Sequence, residues 1–201
     1  HALRVLRTAM RIGEELDADL EVLHAAALLH DAAGADPSDS SSGKRSSHEH
    51  DSAAFAREVL EAEGWGEDRI EQVLACIRSH RYRGGETPQS LEAKILFDAD
   101  KLDVNGAFGA ARTLGYAIQA GQPFYFKPSD QFLETGEREP GEPHSAYHEY
   151  LFKLRRVSER LYTRPARRMA ERRHEVLTIF FEQMAAEAEG VEEYEEGTGD
   201  E

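Results

Sequence analysis

The sequence predicts an all-α fold, because its apolar residues recur at helical spacing and no stretch alternates as a half-buried strand would. Short breaks rich in Gly, Pro, Ser and Asp separate the helical segments. Apolar residues make up 40% of the 201 residues, which is enough for one core. We therefore expect a single helical domain over residues 1–189.

Six helices are predicted in the first 120 residues. Apolar side chains three and four positions apart define each one, and capping residues and glycines mark its ends. A loop rich in Ser, Asp and Gly is expected at 35–46, and Arg83-Gly84-Gly85 ends the fourth helix. The expected helices cover 2–16, 20–34, 47–62, 67 to the break at 83, 90–103 and 105–120.

Residues 121–143 are predicted to form a long irregular segment, because they are rich in Gly, Pro, Phe, Tyr and Glu. Long loops inside compact domains are uncommon and are often functional. The segment could act as a lid over a site, or its aromatic side chains could anchor it to the core. A closing helical pair is expected at 145–161 and 163–189, followed by an acidic disordered tail at 190–201.

Charge and composition exclude several classes of function. The net charge of −15 repels nucleic-acid backbones, so no duplex partner is expected. No apolar run reaches the roughly 18 residues that a membrane span needs. The single cysteine, Cys76, is interpreted as a core residue and fits a reducing cytoplasm. We therefore expect a cytoplasmic protein, either a monomer or a homodimer.

The most distinctive local feature is a strongly apolar helix that ends in His30-Asp31. Buried polar groups are costly unless they are paired or bound to a metal, so this pair alone indicates either an ion pair or a metal site. His1 opens another amphipathic helix, and aspartates punctuate the apolar segment 98–103. Two histidine nitrogens and two carboxylates would suit a divalent ion that keeps open positions for water.

The order of a histidine, a His-Asp pair and a later aspartate resembles that of the HD superfamily of metal-dependent phosphohydrolases. The chain looks like its small stand-alone bacterial and archaeal members, and the resemblance covers nearly the whole chain up to the acidic tail. The matching stretches are 1–5, 26–31, 92–103, 106–112, 147–154 and 170–175.

This resemblance implies an HD-domain helical bundle in which His1, His30, Asp31 and Asp100 are the metal ligands. Asp100 is preferred to its neighbouring aspartates because it directly precedes Lys-Leu, as the second aspartate of the family does. If His1 is a ligand, we expect the native chain to extend before it, since a frayed terminus would hold a metal poorly. The implied cofactor is one or two divalent ions, chosen from Mn, Fe, Ni, Co, Zn and Mg.

Further residues are candidates for catalysis and substrate binding. His48 and His80 lie where some HD enzymes place ligands for a second metal, and the alternatives for them are phosphate or water contacts, or no role. Each basic candidate could instead be a solvated or ion-paired surface cation. The candidates are Asp31, His80 and Lys101 for catalysis, and His48, Arg81, Lys101 and Arg112 for substrate binding.

The predicted function is metal-dependent hydrolysis of a phosphoester in a small phosphorylated metabolite, with a nucleotide as the first choice. A phosphomonoester is favoured because the chain lacks the Gly-Tyr-Pro signature of HD proteins that cleave cyclic dinucleotides. The alternatives are a phosphodiesterase and a non-catalytic HD sensor that binds a nucleotide. A third is a helical scaffold in which His30-Asp31 is only a buried ion pair.

Overall fold

The computed structural model describes residues 1–33, 48–81 and 86–191, without the side chain of His48. These ranges are mainly helical and contain no strand, so the all-α prediction is confirmed. No helix within them is both long and apolar enough to span a bilayer. The predicted loop at 35–46, Arg83 and the acidic tail beyond residue 191 lie outside the described residues.

The predicted helices are found close to their expected positions, and an additional short helix, α7, follows α6. A 3₁₀ helix at Leu154–Arg160 precedes the last α-helix. The α-helices are α1 Ala2–Leu16, α2 Leu20–Leu29, α3 His48–Ala62, α4 Glu67–Ser79, α5 Leu91–Asp103, α6 Gly106–Gln119, α7 Asp130–Thr135, α8 Ala146–Phe152 and α9 Arg164–Glu189.

The chain forms two compact units. The first unit consists of His1–Asp103 and Glu159–Ala170, so it contains α1 to α5 and the first turns of α9. The second unit consists of Val104–Ser158 and Glu171–Glu201, of which residues up to 191 are described. Each unit has its own cluster of buried apolar side chains.

The core of the first unit depends on close packing between α1 and α2. Val5, Ala9 and Ile12 of α1 are fully buried. A Cβ atom on Gly13 would lie 2.6 Å from Cδ1 of Leu23, so only glycine permits this approach without displacing the leucine. The packing sets the position of the two helices that carry His1 and His30.

Asp98 anchors the start of α9 to α5 within the first unit. Its carboxylate is fully buried and accepts hydrogen bonds from the backbone N–H of Tyr162 at 2.8 Å and of Thr163 at 2.7 Å. The hydroxyl of Thr163 donates a third hydrogen bond at 2.7 Å. Because a buried carboxylate without partners is costly, these donors make Asp98 a structural anchor.

The second unit differs from the sequence prediction in two places. The segment 121–143 contains α7, whose first turn is capped by the Ser129 hydroxyl. The helix predicted at 145–161 ends at Phe152, and the 3₁₀ helix follows it. Leu154 and Val157 are both buried, and their spacing of three residues suits the three residues per turn of a 3₁₀ helix.

Gly136 ends α7 in the left-handed region, at a φ of 77°. A Cβ atom at this position would also lie 2.4 Å from Cε2 of the Phe152 ring. Glycine is therefore required both by the backbone conformation and by the contact with α8.

A network centred on Glu142 holds the segment 121–143 against α8. The Glu142 carboxylate accepts hydrogen bonds from the backbone N–H and the hydroxyl of Ser129, and from the backbone N–H of Glu139. It also accepts one from Nε2 of His148 at 2.8 Å, and His148 Nδ1 lies 2.6 Å from the Ser145 hydroxyl. Because Ser145 and His148 are fully buried, this arrangement serves the structure of the segment.

Candidate metal centre

The apolar helix α2 brings His30 and Asp31 to the site. Asp19 caps its first turn by accepting hydrogen bonds from the N–H groups of Glu21 and Val22. The helix is buried along most of its length, and His30, directly after its last residue, is fully buried. Nδ1 of His30 donates to the carbonyl oxygen of Ala27 at 2.9 Å, which leaves Nε2 facing the site.

His1 lies at the start of α1, and its ring is oriented by α5. Nδ1 of His1 donates to Oδ2 of Asp103 at 2.8 Å. The same carboxylate accepts hydrogen bonds from Nε of Arg4 at 2.7 Å and from Nη2 of Arg4 at 3.0 Å. This two-point contact fixes the Asp103 carboxylate, which in turn directs Nε2 of His1 toward His30.

His80 reaches the same site from the end of α4, where it is the C-terminal capping residue. Its ring is buried, and Nδ1 donates to the carbonyl oxygen of Ile77 at 2.5 Å. Nε2 of His80 lies 3.5 Å from Oδ1 of Asp31. All three histidines therefore use Nδ1 as a donor to the protein and present Nε2 to a common space.

The polar atoms of four residues meet at short distances. Nε2 of His1 lies 3.1 Å from Nε2 of His30, 3.4 Å from Oδ2 of Asp31 and 3.3 Å from Oδ1 of Asp100. Oδ2 of Asp31 lies 3.6 Å from Nε2 of His30. The residues that the sequence predicted as ligands, His1, His30, Asp31 and Asp100, are thus together in the first unit.

Lys101 contacts the cluster through Asp100 and through the backbone of His80. Its ammonium group donates to Oδ2 of Asp100 at 2.5 Å and to the carbonyl oxygen of His80 at 3.1 Å. The ammonium also lies 5.0 Å from the centre of the Phe97 ring. These contacts hold one oxygen of Asp100 and leave Oδ1 directed at His1.

The electrostatics of the cluster favour positive charge at its centre. Hydrogen bonds with Asp100, Asp103 and Asp31 raise the pKa of His1 to about 11. Burial acts to raise the pKa of Asp31, but hydrogen bonds from His1 and His80 hold it well below its usual range. Burial lowers the pKa of His30, which favours a neutral imidazole. A protonated His1 supplies the positive charge that the carboxylates require when no other cation is bound.

This donor set fits a divalent cation. One ligand atom each from His1, His30 and Asp31 lies within 4.8 Å of the others, which is close enough to share one ion. Two Nε2 lone pairs facing each other at 3.1 Å repel unless a proton or a cation lies between them. Imidazole nitrogens with aspartate oxygens suit borderline divalent metals, and each ring is oriented by a hydrogen bond from its other nitrogen.

An open cavity of about 430 Å³ lies within the first unit, and two of its lining residues, Arg81 and Phe97, adjoin residues of the site. Arg81 directly follows His80, and Phe97 contacts the ammonium of Lys101. The cavity wall also contains Arg160 and Arg167, together with the carboxylates of Glu86 and Glu159, so three arginines stand beside two acidic groups. The edge-to-face pair of Phe97 and Tyr162 adds an aromatic surface. Arginines suit phosphate groups and the rings suit a nucleobase.

The other predicted substrate contacts are found in different environments. Arg81 forms an ion pair with Glu49 at 2.6 Å in addition to lining the cavity. Arg112 lies on α6 in the second unit, where its guanidinium contacts the ring and the hydroxyl of Tyr116. The side chain of His48 lies outside the described residues. The substrate role of all three residues stays a prediction.

Two residues that support the site were not predicted from the sequence. Arg4 was noted only as part of a matching stretch, although its position three residues after His1 places it on the same helical face. Asp98 was identified only as one of three nearby carboxylates, and its role in anchoring α9 was not predicted. A buried aspartate in an apolar segment followed much later by Thr-x-Pro is too weak a signal for such a contact.

The comparisons with known proteins agree with this fold. The family model described as the HD domain matches residues 1–105, which is more than half of the chain. This chain therefore belongs to the HD domain family, as its sequence resemblance predicted.

Several relatives match over most of their length. YpgQ of Bacillus subtilis is 31% identical over 196 residues, which cover 96% of this chain and 84% of YpgQ. A crystal structure of YpgQ in complex with ADP matches with a TM-score of 0.69 at 28% identity, covering 96% of this chain and 90% of that one. An HD-superfamily hydrolase from Bacillus thuringiensis matches with a TM-score of 0.69 at 26% identity, covering 94% and 85%. The chain has the fold of the HD-superfamily hydrolases.

Proposed function

We propose that this protein is a metal-dependent phosphohydrolase that cleaves a phosphoester of a small nucleotide, with a phosphomonoester as the first choice. The observation that carries the proposal is the meeting of Nε2 of His1 with Nε2 of His30 and with carboxylate oxygens of Asp31 and Asp100. His1, His30, Asp31 and Asp100 would hold the ion. When bound, a divalent ion polarises a phosphoryl oxygen and lowers the pKa of a water nucleophile.

The protein side chains have distinct roles in this proposal. Asp31 is half exposed, with Oδ2 beside His1 and His30 and Oδ1 beside His80, so its carboxylate can orient an attacking water molecule from its exposed side. The buried ring of His80 can stabilise charge on the phosphoryl group through Nε2. The ammonium of Lys101 is held within reach of Asp100, where it adds positive charge beside the reacting phosphate.

The cavity beside Arg81 and Phe97 supports a nucleotide as the substrate class. Its arginines can bind phosphate oxygens that do not react, and the aromatic pair can contact a base. The ADP complex of the relative YpgQ supports the same class of ligand. Binding energy from the unreactive part of the nucleotide would then position its phosphate for in-line attack.

The test is hydrolysis by protein that has been stripped of metal and reloaded separately with Mn²⁺, Fe²⁺, Co²⁺, Ni²⁺, Zn²⁺ or Mg²⁺. Substrates are nucleoside mono-, di- and triphosphates and a phosphodiester, with phosphate, pyrophosphate and nucleoside products separated by chromatography. We expect turnover with at least one metal and a loss of about 100-fold or more for Asp100→Asn. The matched control is Asp68→Asn, which removes an exposed carboxylate from α4.

The other outcomes identify the alternatives. Nucleotide binding without turnover by the metal-loaded protein would indicate a sensor and refute the hydrolase. Failure to take up any of the metals would indicate a scaffold in which His30-Asp31 is an ion pair. Turnover of the phosphodiester alone would replace the phosphomonoester with the phosphodiesterase alternative.

A further inference from the structure

The outer face of α9 in the second unit carries an exposed apolar stripe. Val176 is 43% exposed, Ile179 is 68% exposed and Phe180 is 39% exposed. The opposite face is occupied by Leu177 and Phe181, which are fully buried in the core of the second unit. These three side chains form a contiguous apolar patch on one helix face, which a partner of matching shape can cover.

The residues around this stripe carry opposite charges at its two ends, with Val176 and Gln183 between the charges and the apolar centre. At 3.6 residues per turn, six positions fall within an arc of about 100° and extend over about 22 Å of helix. Their positions along the helix are symmetric about the midpoint between Ile179 and Phe180. The basic residue lies nearest the start of the helix, and the acidic residue lies nearest its end. In order they are Arg172, Val176, Ile179, Phe180, Gln183 and Glu187.

We infer that this face binds the same face of a second copy of the chain, with the two α9 helices antiparallel. In that arrangement Ile179 of one copy faces Phe180 of the other, and Arg172 faces Glu187 at both ends. A parallel arrangement would instead place arginine against arginine and glutamate against glutamate. Self-complementarity of this kind is what a two-fold symmetric interface requires.

The existing contacts of the charged residues are weak enough to be exchanged. Arg172 lies 4.0 Å from Glu175 on the same helix, and the two side chains are 87% and 66% exposed. Glu187 accepts a hydrogen bond from Gln183 at 3.0 Å, also on an exposed surface. Exposed ion pairs contribute little stability, so both groups can turn toward a partner at small cost.

The size of the face indicates a reversible dimer. A single pair of helices buries less than the roughly 1,200 Å² that is typical of stable interfaces. We therefore expect dimers to form and separate as the protein concentration changes, with the apolar centre supplying most of the affinity.

The experiment is sedimentation velocity over a wide range of concentrations for the full chain and three charge variants. Arg172→Glu and Glu187→Arg each create like charges at both ends of the interface, and we expect each to raise the dimer Kd by about tenfold. The double variant Arg172→Glu/Glu187→Arg has the same composition as the original protein and restores opposite charges. We expect it to return the Kd to within about threefold of the original value.

Ile179→Asp tests the apolar centre, and we expect it to weaken the dimer by about 100-fold or more. Circular dichroism of each variant checks that the exposed substitutions leave the helices intact. A chain that stays monomeric at all concentrations would overturn the inference, and so would dimerisation that none of the variants changes. A double variant that dimerises more weakly than either single variant would exclude the antiparallel arrangement.

Discussion

His1 and Asp103 are joined by a hydrogen bond of 2.8 Å between Nδ1 and Oδ2, although they lie 102 residues apart in the chain. The bond determines which nitrogen of His1 faces the site. Arg4 holds the same carboxylate through two donors, so the orientation of His1 depends on both residues. Ligand histidines in proteins commonly depend on such a contact for their basicity and their tautomer.

Asp103→Asn is therefore expected to weaken divalent metal binding by about 10- to 100-fold, because the amide is a poorer acceptor for the His1 N–H. Isothermal titration with Mn²⁺ or Zn²⁺ measures the change. Arg4→Gln is the control, since it removes a partner of Asp103 but keeps the carboxylate that contacts His1, and it should cost less. Equal affinity in Asp103→Asn and the unmodified protein would show that the bond does not orient a ligand.

Removal of metal is expected to lower the melting temperature. A ligand that binds only the folded chain stabilises it by about 2.7 kcal/mol at a concentration of 100 times its Kd. For a chain of this length, that corresponds to a shift of roughly 5–10 °C. Differential scanning calorimetry with and without a chelator measures it. His30→Gln should melt at the same temperature under both conditions, and a chelator response in that variant would place the stabilising metal elsewhere.

Asp98→Ala is expected to reduce the free energy of unfolding by about 3–5 kcal/mol. The substitution leaves two backbone N–H groups without their acceptor, one buried at Thr163 and one partly buried at Tyr162. Chemical denaturation provides the measurement. Thr163→Val removes only the hydroxyl donor and should cost about 1–2 kcal/mol. A loss for Asp98→Ala no larger than that for Thr163→Val would refute the anchoring role.

Cys76 is expected to resist alkylation in the folded protein. Burial raises the pKa of its thiol to about 12 from an ordinary value of 9.0, so the thiolate fraction at pH 8 falls by about a thousandfold. Iodoacetamide labelling followed by mass spectrometry gives the rate, and the same protein in urea serves as the reference. Similar rates with and without urea would mean that the α4 core opens readily.

Glu142→Gln is expected to destabilise the second unit in a pH-dependent manner. Burial acts to raise the pKa of Glu142, but hydrogen bonds from His148 and Ser129 lower it to about 2 from 4.5. The contribution of the carboxylate is therefore fully present above pH 4.5 and is lost as the pH falls toward 2. The difference in melting temperature between the two proteins should shrink over that window. A constant difference would show that the charge of Glu142 does not matter.

The sequence predicts the helices well because their signals are local. The apolar spacing in α1 and the Asp19 cap of α2 each involve residues within one or two turns of one another, so both patterns are present in the local sequence. The change from α-helix to 3₁₀ helix at Lys153 has no such local signal, because it depends on the burial of Leu154 and Val157 in the folded chain. The same holds for α7, whose six residues carry too little periodicity for a prediction.

In the candidate site too, some features follow from local sequence and others from tertiary packing. The pair His30-Asp31 stands out because a polar pair at the end of an apolar helix needs a partner. The contact of Asp103 with His1 joins residues that lie 102 positions apart, so its geometry is set by the packing of α1 against α5. The contact of Glu142 with His148 spans six residues, but Glu142 lies in the irregular segment before α8, where no helical spacing applies. Local chemistry therefore indicates which residues belong to a site, and tertiary packing determines how each ring is turned.

The segment of α5 from Asp98 to Asp103 allows little change in its length during evolution. Asp98 accepts hydrogen bonds from the start of α9, Asp100 lies beside His1, and Asp103 orients the His1 ring. These three contacts are made from about one and a half turns of the same helix. Inserting or deleting one residue would rotate everything beyond it by about 100°. Natural variants of this protein should therefore differ in length at the loops and keep the register of this stretch of helix intact.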